Sequence, residues 1–166
     1  MKQAKKFPFL SVVRKRLLLT VDNRSFATVP DETAFFRWVW QTIKPVYRYA
    51  EIGIVLLPSD QARGYNRQYR GKDYATNVLS FPYETDFRHG EAVLKGDLVL
   101  CPDVVADEAF DQGVEISAHY AHLTVHGVLH VMGFDHETHE DALQMESLEI
   151  SVLNQLGYEN PYIEED

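Results

Sequence analysis

The chain of 166 residues is 45% hydrophobic and 25% charged, a balance that suits one self-sufficient globular domain and excludes wholesale disorder. A single cysteine, Cys101, rules out an internal disulfide and any multi-cysteine zinc site, and it fits a reducing compartment. The net charge of −9 is unevenly spread: residues 1–72 carry fourteen Lys/Arg against five Asp/Glu, and residues 73–166 carry two against twenty. A polyanion can therefore meet a basic face built from the first half, with an unevenly charged solvated surface as the plainer alternative.

The opening stretch, MKQAKKFPFLSVVRKR, starts like a signal peptide, but Pro8 interrupts it, Arg14-Lys15-Arg16 follow, and no small-residue cleavage site appears. Residues 1–15 read as a basic extension of a single domain spanning 1–166. The longest apolar run, Ile52–Leu57, is far too short to span a membrane. The expected location is the cytoplasm, with no membrane partner.

Arg16–Val21 reads as a short strand. Pro30-Asp31-Glu32 opens a helix with Phe35, Phe36, Val39, Trp40 and Ile43 at helical spacing, and Pro45 stops it. Ile52–Leu57 is a buried-strand pattern ended by Pro58. Ser59 is the expected N-cap of a polar helix reaching about Tyr69. Arg70-Gly71-Lys72-Asp73 is a loop and Asn77–Pro82 a strand. Tyr83–Val93 reads as a polar loop, and Asp97–Cys101 as a strand stopped by Pro102. Helices follow over Asp103–Gln112, Val114–Met132 and Glu137–Leu156, closed by Gly113, Gly133 and Gly157. This order predicts an α/β (α+β) fold: a small mixed sheet of about four strands with an antiparallel edge, packed with about five helices.

Six of the seven histidines lie between residues 119 and 139. His126 and His130 share a helix face one turn apart, so their imidazoles can reach one metal. Gly133 then breaks the helix, and His136 arrives where it can complete a three-nitrogen site. Three neutral ligands with one open position describe a catalytic zinc site, whose open position takes a water of lowered pKa or a substrate oxygen. Nickel, copper and cobalt also suit imidazole. The spacing is similar to the zinc helix of metzincin peptidases, but Gly127 stands where those enzymes carry their general-base Glu. The rival triad His122, His126 and His130 stretches over about 12 Å of helix, too far for one ion. His122 is therefore expected behind the ligands or in packing, with His119 and His139 solvent-facing or peripheral. Asp135 is expected either to orient a ligand imidazole or to cap the last helix.

The run His126-Gly127-Val128-Leu129-His130-Val131-Met132-Gly133-Phe134-Asp135-His136 resembles the HGxLHLxGYDH signature of the YbeY family. Asn66, Tyr69-Arg70-Gly71-Lys72-Asp73 and Thr76-Asn77-Val78-Leu79-Ser80-Phe81-Pro82 resemble its LNxxYRxKDxxTDVLSFP segment, and Gly96–Leu100 its GDIxI strand. Two positions depart: Asn77 for a common Asp, and Phe134 for Tyr. The resemblance implies a metal-dependent endoribonuclease specific for single strands. Its expected work is ribosomal RNA maturation, including the 3′ end of 16S rRNA, and ribosome quality control. It also implies partnership with the small ribosomal subunit and its proteins, and with a ribosome-associated GTPase.

Within that reading Arg70 is the candidate catalytic residue, because a guanidinium on a loop can grip a phosphate bidentately and stabilise its developing charge. Arg63, Arg67 and Lys72 are candidates to follow an RNA backbone. Ser80, Asn66 and Asp97 are polar positions that can line a cleft, without an assigned catalytic role. Two alternatives stand beside the nuclease: a ribosome-assembly binding factor with a structural metal, and a metallopeptidase-like hydrolase lacking its base.

Overall fold

A computed structural model describes residues 16–163, so the basic stretch 1–15 lies outside the described residues. The chain runs β1 (Arg16–Asn23), α1 (Glu32–Ile43), β2 (Tyr49–Leu56), α2 (Ser59–Arg70), β3 (Val78–Pro82), β4 (Asp86–Arg88) and β5 (Glu91–Leu100). Three helices follow: α3 (Pro102–Gln112), α4 (Ile116–Val131) and α5 (His139–Gln155). Among the described residues no helix is long and apolar enough to cross a membrane.

The sheet order is β1-β2-β5-β3. β1, β2 and β5 are parallel, and β3 pairs antiparallel with β5 at the sheet edge. This is the expected mixed sheet with an antiparallel edge, but it has a fifth strand. The segment 83–93, read above as a polar loop, folds into a hairpin. β5 starts at Glu91 rather than Asp97, and β4 pairs with its first residues. The signal was the dipeptide His89-Gly90, which joins the two strands. Both residues take positive φ, 51° and 78°, as a tight primed hairpin turn demands. From Pro82 to Asp86 the outer chain takes four steps while β5 takes three from Gly96 to Val93, which is one bulged residue. β3 and β4 thus form one bulged edge along β5.

Local chemistry sets the helix starts. Asp31 accepts the Ala34 N–H at 2.8 Å and caps α1. Ser59 does not cap α2. Pro58 occupies that position, and the Ser59 hydroxyl donates to Asp103 at 2.7 Å, tying α2 to α3.

Alternating residues of β5 face two different cores. Leu98 and Leu100 join the main core, where Phe35 and Trp38 of α1, Val125 and Val128 of α4, and Met145 and Leu153 of α5 are buried. Val99 and Cys101 face the other way, against Leu57, Leu79 and Ala62 of α2. α4 is apolar and buried around most of its circumference, as a central helix must be. It lies directly on β5. An added Cβ at Gly96 would meet Val131 Cγ1 at 2.5 Å and the Phe81 carbonyl at 2.9 Å, and one at Gly127 would meet Leu98 at 2.9 Å.

Gly96→Ala is therefore expected to destabilise the fold by about 1–3 kcal/mol, because a β-branched side chain and a strand carbonyl must both move. Urea unfolding measures it, and an unchanged midpoint would show that the contact between α4 and β5 is loose.

Candidate metal centre and RNA cleft

Gly127 faces the sheet, so His126 and His130 stand roughly 60–100° round the helix from it, beside the edge strand β3. Ser80 of β3 donates to the Gly127 carbonyl at 2.9 Å and pins the two elements together. After Val131 the chain turns at Gly133, whose φ of 101° a larger residue would resist. This turn brings His136 back over the other two histidines.

The three expected ligands meet. Their ligand atoms lie within 4.8 Å of one another. Nε2 of His126 and Nε2 of His130 are 3.0 Å apart, close to the roughly 3.3 Å that two nitrogens keep on one tetrahedral zinc. The ring centroids of His130 and His136 are 5.0 Å apart. Burial, and then the neighbouring His126 and His136, lower the pKa of His130, which favours the neutral form that binds metal.

Sequence reading missed the residue that orients this set. Glu149 of α5 is fully buried and bonds Nδ1 of His126. Its other oxygen takes the Tyr162 hydroxyl and lies 3.4 Å from His122 Nε2. Burial raises the pKa of Glu149, but the bonds from His122, His126 and Tyr162 outweigh it and hold the carboxyl at about 2. An ionised carboxylate can only accept, so Nδ1 of His126 carries the proton and Nε2 carries the free lone pair. The donor chemistry and the tautomer fit a metal ion at this point. The available signal was Glu149 on the apolar stripe of a helix that packs on the histidine helix.

The remaining expectations divide. His122 stands outside the cluster of His126, His130 and His136, 3.2 Å from the Tyr162 hydroxyl. His139 is exposed, as expected for a peripheral residue. His119 is not solvent-facing: it lies outside the cluster but is buried, with Nε2 2.7 Å from Glu108 of α3. Asp135 accepts the His136 N–H, and Thr138 caps α5, so Asp135 takes neither expected role. Asn77 donates to both Glu108 oxygens at 3.1 Å, where an Asp would set two carboxylates against each other. The departure at position 77 thus matches its neighbour.

The histidines open into a cavity of about 870 Å³, within the range of ligand sites. One side is β3 with Asn77 and Ser80, another is the turn Gly133–Glu137, and the end of α2 supplies Tyr69 and Arg70. Arg70 is thereby brought to the same cavity as the three histidines. Arg63, Arg67 and Lys72 do not line it, and Arg63 is held by Asp73 through bonds of 2.8 and 2.9 Å. Ser80 lines it; Asn66 and Asp97 do not. Asn66 is buried and donates to the Tyr74 carbonyl at 2.7 Å, and Asp97 takes the Tyr83 hydroxyl.

A mixed α/β domain with three histidines that could share one ion beside an open cleft defines the class: a single-domain protein with a candidate metal centre. A family model described as "Endoribonuclease YbeY" matches residues 21–157. The chain belongs to the YbeY family. It is 48% identical to Endoribonuclease YbeY of Neisseria gonorrhoeae, over 99% of each chain. It is 47% identical to that of Chromobacterium violaceum, again over 99% of each. The solution structure of TM1509 from Thermotoga maritima shares the fold with a TM-score of 0.53 at 18% identity, over 86% of this chain and 92% of that one.

The chain is expected to hold about one divalent metal, with far less in His130→Ala, as elemental analysis would read. Full metal content in that variant would overturn the ligand set. Glu149→Gln keeps the shape but loses the charge that fixes the tautomer. Its metal affinity, measured by competition with a chelator, should fall about 10- to 100-fold.

Proposed function

We propose that this chain is a zinc-dependent endoribonuclease that cleaves single-stranded RNA. In this reading residues 1–166 form one hydrolase domain with a basic extension over 1–15. It works in the cytoplasm on ribosomal RNA, including the 3′ end of 16S rRNA, beside the small ribosomal subunit, its proteins and a ribosome-associated GTPase. The observation that carries the reading is the meeting of Arg70 with His126, His130 and His136 in one cavity. Family membership supports the activity, and the lone buried Cys101 suits a reducing cytoplasm.

Each residue has a task. His126, His130 and His136 would hold the metal; zinc suits three imidazoles, and nickel takes the same donors. When bound, such an ion supplies Lewis acidity to a phosphodiester oxygen or a water. Glu149 keeps the proton on Nδ1 of His126 so that Nε2 stays free. Arg70 has no carboxylate partner among the described residues, so its guanidinium is available to a phosphate. A planar fork on two phosphate oxygens orients the scissile group and stabilises charge that develops on it. Gly127 argues against peptide hydrolysis. A Cβ at this position, where a peptidase carries its carboxylate, would already meet Leu98 at 2.9 Å and the Ser80 hydroxyl at 3.2 Å.

An RNA cleavage assay on metal-free and zinc-reloaded protein, with product ends analysed, tests the reading. Cleavage should require the metal, and metal-independent cleavage or none with zinc restored would refute it. Arg70→Lys keeps the charge but loses the fork. Its single-turnover rate should fall on the order of tenfold or more while RNA affinity changes little. A parental rate would reduce Arg70 to a phosphate anchor.

A further inference from the structure

We propose that Tyr69 is a base-stacking platform for single-stranded RNA, taking the base next to the phosphate that Arg70 holds. The inference rests on the endoribonuclease reading and adds a second contact for the same substrate.

Tyr69 is 56% exposed although two rings hold it. Tyr65, one turn earlier on α2, stacks on it with centroids 5.9 Å apart and planes 22° apart. Phe81 of β3 meets it at 5.0 Å in an edge-to-face contact. The hydrophobic core does not explain these tyrosines. α2 buries only Ala62 and Asn66, and both Tyr65 and Tyr69 keep large exposed surfaces. The ring is placed by one contact within α2 and one from β3 before any ligand arrives, which lowers the ordering cost of binding.

Its surroundings say what it takes. Tyr69 and Arg70 are consecutive, and both line the cavity of the three histidines. Consecutive helical residues point about 100° apart, so the half-exposed aromatic ring and the guanidinium reach different parts of one ligand. A nucleotide has the complementary parts, a flat base and an anionic phosphate. Asp135 and Glu137 line the cavity from the turn after α4, which disfavours a phosphate there and leaves it to Arg70. Stacking on an open ring needs a base with a free face. Bases in a duplex are already stacked on both sides, so the platform selects single strands without reading sequence.

The test uses the full-length metal-loaded protein and a short single-stranded RNA, with a series in which one nucleotide at a time is abasic. Tyr69→Leu should weaken binding of the intact RNA by about 5- to 100-fold, the usual range for losing one stacked base. Tyr69→Phe keeps the ring and should recover most of that loss. For one abasic position, Tyr69→Leu should cost nothing further, because the base it would have held is gone. Parental metal content in each variant guards against a folding defect. Unchanged affinity in Tyr69→Leu overturns the proposal, and so does an equal loss with every abasic RNA, which would mark a structural ring. Failure of the parental protein to bind or cleave any RNA would sink the endoribonuclease reading itself. Parental binding and cleavage that ignore Tyr69 would sink only the platform.

Discussion

The close approach of α4 to β5 is the constraint on which the rest of the structure depends. Gly96 and Gly127 bring the helix and strand nearer than side chains would allow. The Ser80 hydroxyl then ties the Gly127 carbonyl to β3. Contact at this range fixes the rotation of α4 about its axis. With Gly127 against the sheet, His126 and His130 can only stand over the edge strand, where the cavity opens. The same contact leaves Gly127, where a peptidase carries its base, packed against Leu98 and Ser80 with no side chain of its own.

A second constraint is electrostatic. Glu149 gives up hydration to enter the core, which alone would raise its pKa. It is held ionised because His126, His122 and Tyr162 together satisfy its oxygens. The carboxylate then determines which nitrogen of His126 faces the cavity. Three separate segments share this arrangement: α4, α5 and the stretch after α5 that carries Tyr162. The geometry of the metal centre is thus tied to the docking of the last helix, and a loss of packing between α4 and α5 would reach the histidines directly.

The uneven charge takes a spatial meaning in the same cleft. The basic first half contributes the end of α2, with Arg70 pointing into the cavity. The acidic second half contributes the histidine helix and the turn with Asp135 and Glu137. Not every cation of the first half serves the cleft. Arg63 is engaged by Asp73, and Arg48 is paired with Glu91 at the start of β5. Charge counting alone cannot distinguish an available guanidinium from a paired one.

The meeting of His126, His130 and His136 was legible in the sequence because helix geometry is local: a four-residue spacing and a glycine break place three imidazoles together whatever surrounds them. The class of fold was legible for the same reason, since strand and helix periodicities announce themselves over short windows. The hairpin over residues 83–93 was hidden because its strands are short and polar and draw their stability from pairing with β5 rather than from a pattern of their own. Glu149 carried only the signal of its place on the apolar stripe of α5, because its partner is a histidine 23 residues earlier on another helix. The burial of His119 was hidden for the same reason, since its partner Glu108 belongs to the preceding helix. Local spacing determined which residues bind together within one helix and its turn. Only the tertiary structure decided which distant side chains complete them, because burial and partnership across elements are set by packing that no short stretch of chain contains.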